Sequence, residues 1–202
     1  LWLRAASNET GVQVKELLLV VVGGVLAAAG AMVQQWWSTF RDRKDHAYYL
    51  AVRVVVALDR YIDGCTTVAL DDGEEPGPYP PEEIKPRTSE PDLSLPDDVD
   101  WRSIPLKLAY EIISLPGYVE RAKAAIDAVF EGGGGNEFQY MEERQRRCME
   151  IALRAADLTN TLRDTYRIPQ RVNVGWDPVF HLRKMKDKFA ELDRKRSSGA
   201  ES

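Results

Sequence analysis

The chain holds only two cysteines and two histidines among 202 residues. So few cysteines exclude a disulfide-rich scaffold and a four-cysteine zinc site. So few histidines exclude a histidine-rich metal centre. No Cys-x-x-Cys, Glu-x-x-His or Gly-x-x-x-x-Gly-Lys occurs, so a redox dithiol, a carboxylate-bridged dimetal bundle and a phosphate loop all lack their signatures. No stretch of strand length alternates apolar and polar residues between turn signals, and a β fold is excluded with it. Neither charge sign dominates. Lys and Arg number 27 against 32 Asp and Glu, a net −5, and 44% of residues are apolar. This composition excludes wholesale disorder.

One long apolar run stands out. Leu17–Val33 contains only Leu, Val, Gly, Ala and Met, and Gln34, Gln35, Trp36 and Trp37 follow. At about 1.5 Å per residue, Leu17–Trp37 as a helix spans roughly 31 Å, close to the ~30 Å hydrocarbon core of a bilayer. Paired tryptophans suit a membrane interface, having an apolar ring and one N–H. The sequence therefore predicts a transmembrane helix over residues 15–37, after an N-terminal flank, residues 1–14, that carries no weight here. The rival reading is a cleaved signal peptide, with Ala29-Gly30-Ala31 as its small-x-small site. Against it, Arg4 and Lys15 are offset by Glu9 and Glu16, and Arg41, Arg43 and Lys44 lie just past the apolar run. The Lys/Arg excess after the span points the C-terminal side to the cytoplasm and the N-terminus outside. Trp36, Trp37, Arg41, Arg43 and Lys44 then meet lipid headgroups. Gly23, Ala27 and Ala31 recur every four residues, a small-residue face through which two copies could pack as a homo-oligomer.

Beyond the span, Leu50, Val54, Ala57, Tyr61 and Cys65 mark one helical face. One helix is predicted from about Val14 to about Val68, with residues 38–70 extending from the membrane. Residues 71–100 differ. They hold seven of the eleven prolines, and eleven acidic residues against Lys85 and Arg87, a net −9. The whole chain carries −5, so the remainder carries +4. Proline this dense prevents helix and acid this dense resists burial, which predicts an extended, solvated acidic loop.

Residues 101–169 read as helices. The first starts near Ser103-Ile104-Pro105 and is broken at Pro116-Gly117. The second runs through Val119, Ala122, Ile126 and Val129 to the Gly132–Gly135 linker. The third runs from about Asn136 to Tyr166. Within 170–196, Asp177-Pro178 opens a basic amphipathic helix, and 197–202 reads as a disordered tail. The predicted fold is all-α: a transmembrane helix continuing into an antiparallel bundle of about four helices.

The polar clusters are modest. Asp42 and His46 are four apart and could face one cation. Two ligands rarely hold a metal, and Arg43 and Lys44 repel it. His181 has no acid beside it and reads as a surface histidine. Cys65 and Cys148 read as core packing, reduced in a cytoplasmic protein. Glu142, Glu143, Arg144, Arg146 and Arg147 read as salt-bridged helix surface. Arg183, Lys184, Lys186 and Lys188 form a basic face that could touch a membrane or a partner. Asp187, Glu191 and Asp193 interrupt it and disfavour nucleic acid. No cofactor, metal or catalytic group is indicated.

The segments VDWRSIPLKLAYEIISLP (99–116) and FRDRKDHAYYLA (40–51), with Trp176-Asp-Pro178, resemble a group of uncharacterised bacterial proteins with one N-terminal membrane helix and a helical remainder. The resemblance covers most of residues 15–180. It implies a bacterial membrane setting and no activity. The expectation is a non-enzymatic single-pass inner-membrane protein whose cytoplasmic helical domain is an interaction or scaffold module. Its partners would be membrane lipid, a second copy and a protein of unknown identity. The alternatives are a periplasmic or envelope helical domain, with Cys65 and Cys148 then paired, and an enzyme whose residues converge only in three dimensions.

Overall fold

The computed structural model describes residues 2–74, 85–131, 137–172 and 175–199, and of residues 2–29, 31, 33, 38–40, 42, 130, 131 and 199 the backbone alone. Among the described residues all regular structure is helical, as the sequence predicts. The elements are α1 (Trp2–Ala69), a 3₁₀ turn (Trp101–Ser103), α2 (Leu106–Ile113), α3 (Leu115–Glu131), α4 (Glu137–Tyr166) and α5 (Pro178–Gly199). The chain divides into two compact units, residues 1–46 and 47–202, and α1 contributes to both.

In the first unit α1 begins at Trp2, well before the predicted start near Val14. Among the described residues no helix is long and apolar enough to cross a membrane. The predicted span falls largely on side chains outside the described residues, and so does its Gly23, Ala27 and Ala31 face. Trp36, Trp37, Arg41, Arg43 and Lys44 are described, and all five are exposed.

The second unit is built on the rest of α1. Leu50, Val54, Tyr61 and Cys65 of the predicted face are buried, joined by Ala51, Leu58, Ile62 and Val68. Leu58, Leu162 and Leu182 are wholly buried, each stabilising by about 1.5–3 kcal/mol. The helices alternate in direction. Asp59 of α1 meets Arg163 of α4, while Asp71, just past α1, meets Arg144 near the start of α4. Tyr118 of α3 lies under Arg154, and Arg146 and Glu142 of α4 pair with Asp193 and Arg196 of α5. Rising numbers on α1 and on α5 meet falling numbers on α4, so α4 runs antiparallel to both.

Local chemistry sets the ends. Asp100 caps the 3₁₀ turn, accepting from the Arg102 amide at 3.0 Å, and Pro105 precedes α2. The predicted break at Pro116-Gly117 lies instead at Ser114. Pro116 occupies the first turn of α3, where a missing N–H costs nothing. Arg167 closes α4 with φ 55, and the Ile168 amide donates back to the Arg163 carbonyl. Asp177 caps α5, accepting from the amides of Val179 at 3.0 Å and Phe180 at 3.3 Å.

Two expectations need correction. The predicted tail is helical through Gly199, with the Ser197 and Ser198 hydroxyls donating to the Asp193 and Lys195 carbonyls; 200–202 lie outside the described residues. The acidic segment is non-helical where described, but residues 85–99 are not a free connector. Leu93, Leu95 and Val99 pack on the core, Asp98 pairs with Arg53 at 2.6 Å, and Asp92 pairs with Lys123 at 2.7 Å. Apolar residues spaced among the acids give this stretch a burying side.

Candidate functional site

Two polar constellations sit in the second unit, near the two ends of α4. Arg144 and Arg163 are nineteen positions apart on one helix, roughly 28 Å along its axis.

The first holds the acidic segment to the bundle. Arg144 is 0% exposed and the Asp71 side chain 2%. The Asp71 carboxylate accepts from the Gly73 amide at 3.0 Å, the Arg87 amide at 2.9 Å, the Thr88 amide at 3.0 Å and the Thr88 hydroxyl at 2.9 Å. It also accepts from Arg144 Nη1 at 3.2 Å. Arg144 Nε donates to Glu90 and Nη2 to the Thr88 carbonyl. Gln145 donates to the Asp71 carbonyl at 2.7 Å. Burial alone would push the Asp71 carboxyl up. The bonds from Gly73, Thr88 and Arg144 outweigh it and hold the carboxyl below its ordinary range. Asp71 and Arg144 each meet charged partners, so the cluster ties residues 71–74 and 87–90 to α4. This overturns the surface reading of Arg144. Its neighbours keep that reading: Glu142–Arg146 and Glu143–Arg147 are i,i+4 pairs.

The second is a cleft of about 210 Å³. It lies between α1, α4, the 167–177 connector and the start of α5. Asp59, Asn160, Arg163, Gln170, Arg171 and Arg183 line it. Arg163 donates to Asp59 at 2.6 Å, and Arg171 to Asp63 at 2.7 Å. Burial pushes the Asp59 carboxyl up despite the pull of Arg163. Arg163 is only 8% exposed, yet its Nε has no hydrogen-bond partner among the described residues.

The thiols lie inside the core. Tyr61, Cys65 and Cys148 are all buried, and both cysteines are free thiols. Burial pushes the Tyr61 hydroxyl and the Cys65 thiol well up, so both stay protonated. His181 stacks on Trp176 with ring centroids 4.0 Å apart. His46 and Asp45 are exposed, and among the described residues no three His, Cys, Asp or Glu side chains group to hold a metal. Arg183, Lys184, Lys186 and Lys188 all lie on the exposed face of α5. On α2, Leu106, Tyr110 and Ile113 form an exposed apolar stripe at i, i+4, i+7.

Sequence reasoning singled out Arg183 but not Asp59, Arg163 or Arg171, whose pairings join residues more than a hundred positions apart. Arg144 did leave a signal. Met141, Arg144, Cys148 and Ile151 follow helical three-and-four spacing, so Arg144 occupies a core position of α4. No protein-family model, curated protein or solved structure matches this chain.

Proposed function

We propose that the protein is a single-pass bacterial inner-membrane protein, non-enzymatic, whose 47–202 unit is a cytoplasmic helical interaction module. The observation that carries this reading is α1. One helix holds both the apolar run Leu17–Val33 and the buried stripe from Leu50 to Ala69. An anchor and a core element written into one helix fit a module tethered at the bilayer surface. Arg41, Arg43, Lys44 and Arg53 after the run, against Arg4 and Lys15 before it, support a cytoplasmic module. The exposed Leu106, Tyr110 and Ile113 stripe supports contact with a protein rather than chemistry on a small substrate. Self-association through Gly23, Ala27 and Ala31 belongs to the same proposal.

Flotation of membranes from expressing cells tests the anchor. The full chain should rise with the vesicles and stay with them after alkaline carbonate. The double substitution Val25→Arg and Leu26→Arg should abolish this, since each charge near the centre of a span costs about 2.5–3.5 kcal/mol on insertion scales. A full chain that stays at the bottom of the gradient, or is stripped by carbonate, refutes the reading.

A further inference from the structure

We infer that the cleft between α3 and α4 binds a ligand with two neighbouring phosphoryl groups, either a soluble diphosphate or a lipid headgroup that carries two phosphates. The observation behind it is Tyr118. The Arg121 guanidinium carbon lies 4.4 Å from its ring centroid, and that of Arg154 lies 3.8 Å from it. Arg121 stands one turn further along α3, and Arg154 reaches across from α4. The shared ring therefore holds the two guanidiniums within roughly 8 Å of each other. Stacking occupies the face of a guanidinium and leaves its N–H donors, which lie in the plane, pointing outward. Neither arginine makes a hydrogen bond or an ion pair among the described residues, and both are exposed. Two forks ordered before a ligand arrives lower the entropy cost of binding one.

Charge and space agree with this. Arg147 and Glu150 line the same cleft. Arg147 is engaged, donating to Glu143 at 2.7 Å and to Glu150 at 3.3 Å. Three arginines thus stand against two carboxylates, both of them on Arg147. The surplus positive charge rests on Arg121 and Arg154. Ala122 and Ile151, both buried, form an apolar floor. One bidentate fork fills the two oxygens of a carboxylate, whereas a pair of separated forks matches a pair of phosphoryl groups. The volume, about 420 Å³, falls within the range of small-molecule sites and leaves room for the rest of an ester.

Isothermal titration calorimetry on the purified full chain in non-ionic detergent micelles, at constant ionic strength, tests the inference. The probe is inorganic pyrophosphate, which should bind saturably. Inorganic phosphate, a single group, should bind roughly tenfold more weakly or less well still. Arg121→Ala and Arg154→Ala, both exposed changes, should each weaken pyrophosphate binding roughly tenfold, the loss of one charge-assisted contact. Arg154→Lys keeps the charge and the stem, removes the planar fork, and should weaken it too, which keeps the test decisive if an alanine variant folds poorly. Tyr118→Phe retains the ring and should bind as wild type does. Lys186→Ala, on α5 and outside the cleft, is the control for a general loss of positive charge. Micelles with added cardiolipin separate the two sources: competition with pyrophosphate names the lipid headgroup, and unaltered binding names a soluble diphosphate. No saturable heat up to about 20 mM pyrophosphate overturns the site. So does binding that the arginine variants alter no more than Lys186→Ala does, and equal affinity for phosphate and pyrophosphate overturns the paired-group reading. Pyrophosphate binding does not depend on membrane insertion, so it can fail while the proposed function stands.

Discussion

Arg144→Met removes a guanidinium from the interior and leaves a side chain of similar reach. Three charge-bearing hydrogen bonds disappear: to Asp71, to Glu90 and to the Thr88 carbonyl. Asp71 stays buried, with only the Gly73, Arg87 and Thr88 donors to offset its charge. Removing one partner of a buried ion pair typically costs about 3–5 kcal/mol. The Glu90 carboxylate is partly exposed and regains water, which places the expected loss at about 3 kcal/mol. Arg147→Met is the control. Arg147 lies on the exposed side of the same helix, and its pairs with Glu143 and Glu150 contribute about 0–1 kcal/mol. Urea denaturation of both variants beside wild type gives the comparison. Limited trypsin digestion supplies a local readout, because the Arg87 and Thr88 amides are pinned to Asp71. Cleavage after Arg87 should accelerate in Arg144→Met and not in Arg147→Met. Equal losses in the two variants, or an unchanged cleavage rate, would refute the view that Arg144 ties the acidic segment to the bundle.

Three further outcomes follow from the same packing. Gly64→Ala should destabilise: its Cβ would stand 2.7 Å from Pro91 Cβ, and the rigid ring must shift at about 1–3 kcal/mol, against a helix gain of about 1. Higher thermal stability would mean that Pro91 does not pack there. Acid should weaken the fold. Hydrogen bonds that outweigh burial hold Asp71 below its ordinary range, and bonds from Arg196 do the same for Glu142. Their stabilisation is full above the ordinary carboxylate range, about pH 4, and lost as pH falls through their lower folded values. Asp59, pushed up by burial, acts in the opposite sense and softens the loss. Urea midpoints that rise from pH 5 to pH 3 would contradict this sign, and Asp71→Asn should flatten the dependence. Finally, Cys65 and Cys148 should react with an aromatic disulfide reagent only slowly in the native protein and at once in denaturant. Fast native labelling would place them outside the core.

Features set by local chemistry were readable in the sequence. Asp177-Pro178 opens α5 because a carboxylate cap and an N–H-less first residue satisfy the same helix end. The α1 face through Leu50, Val54, Tyr61 and Cys65 was legible because apolar spacing records which side is buried. Arg144 was misread because its neighbours form the expected i,i+4 surface pairs and mask a residue on the opposite side. Its partners, Asp71 and Glu90, come from 73 and 54 residues away. The acidic segment was misread for the same reason: charge count predicts solvation, while Leu93, Leu95 and Val99 decide packing. The cleft lined by Asp59, Arg163 and Arg183 joins α1, α4 and α5, so of these three the sequence singles out only Arg183.

The central claim is a membrane-tethered module on the cytoplasmic side, and one labelling measurement bears on it most directly. Ser198 is exposed near the end of α5, and the native thiols are buried, so Ser198→Cys adds one accessible thiol against a silent background. Expressing cells are treated with a membrane-impermeant maleimide, intact or lysed, with wild type alongside. Protection in intact cells and labelling after lysis is the result this account requires. Labelling in cells whose inner membrane is demonstrably sealed would put the 47–202 unit outside and contradict it.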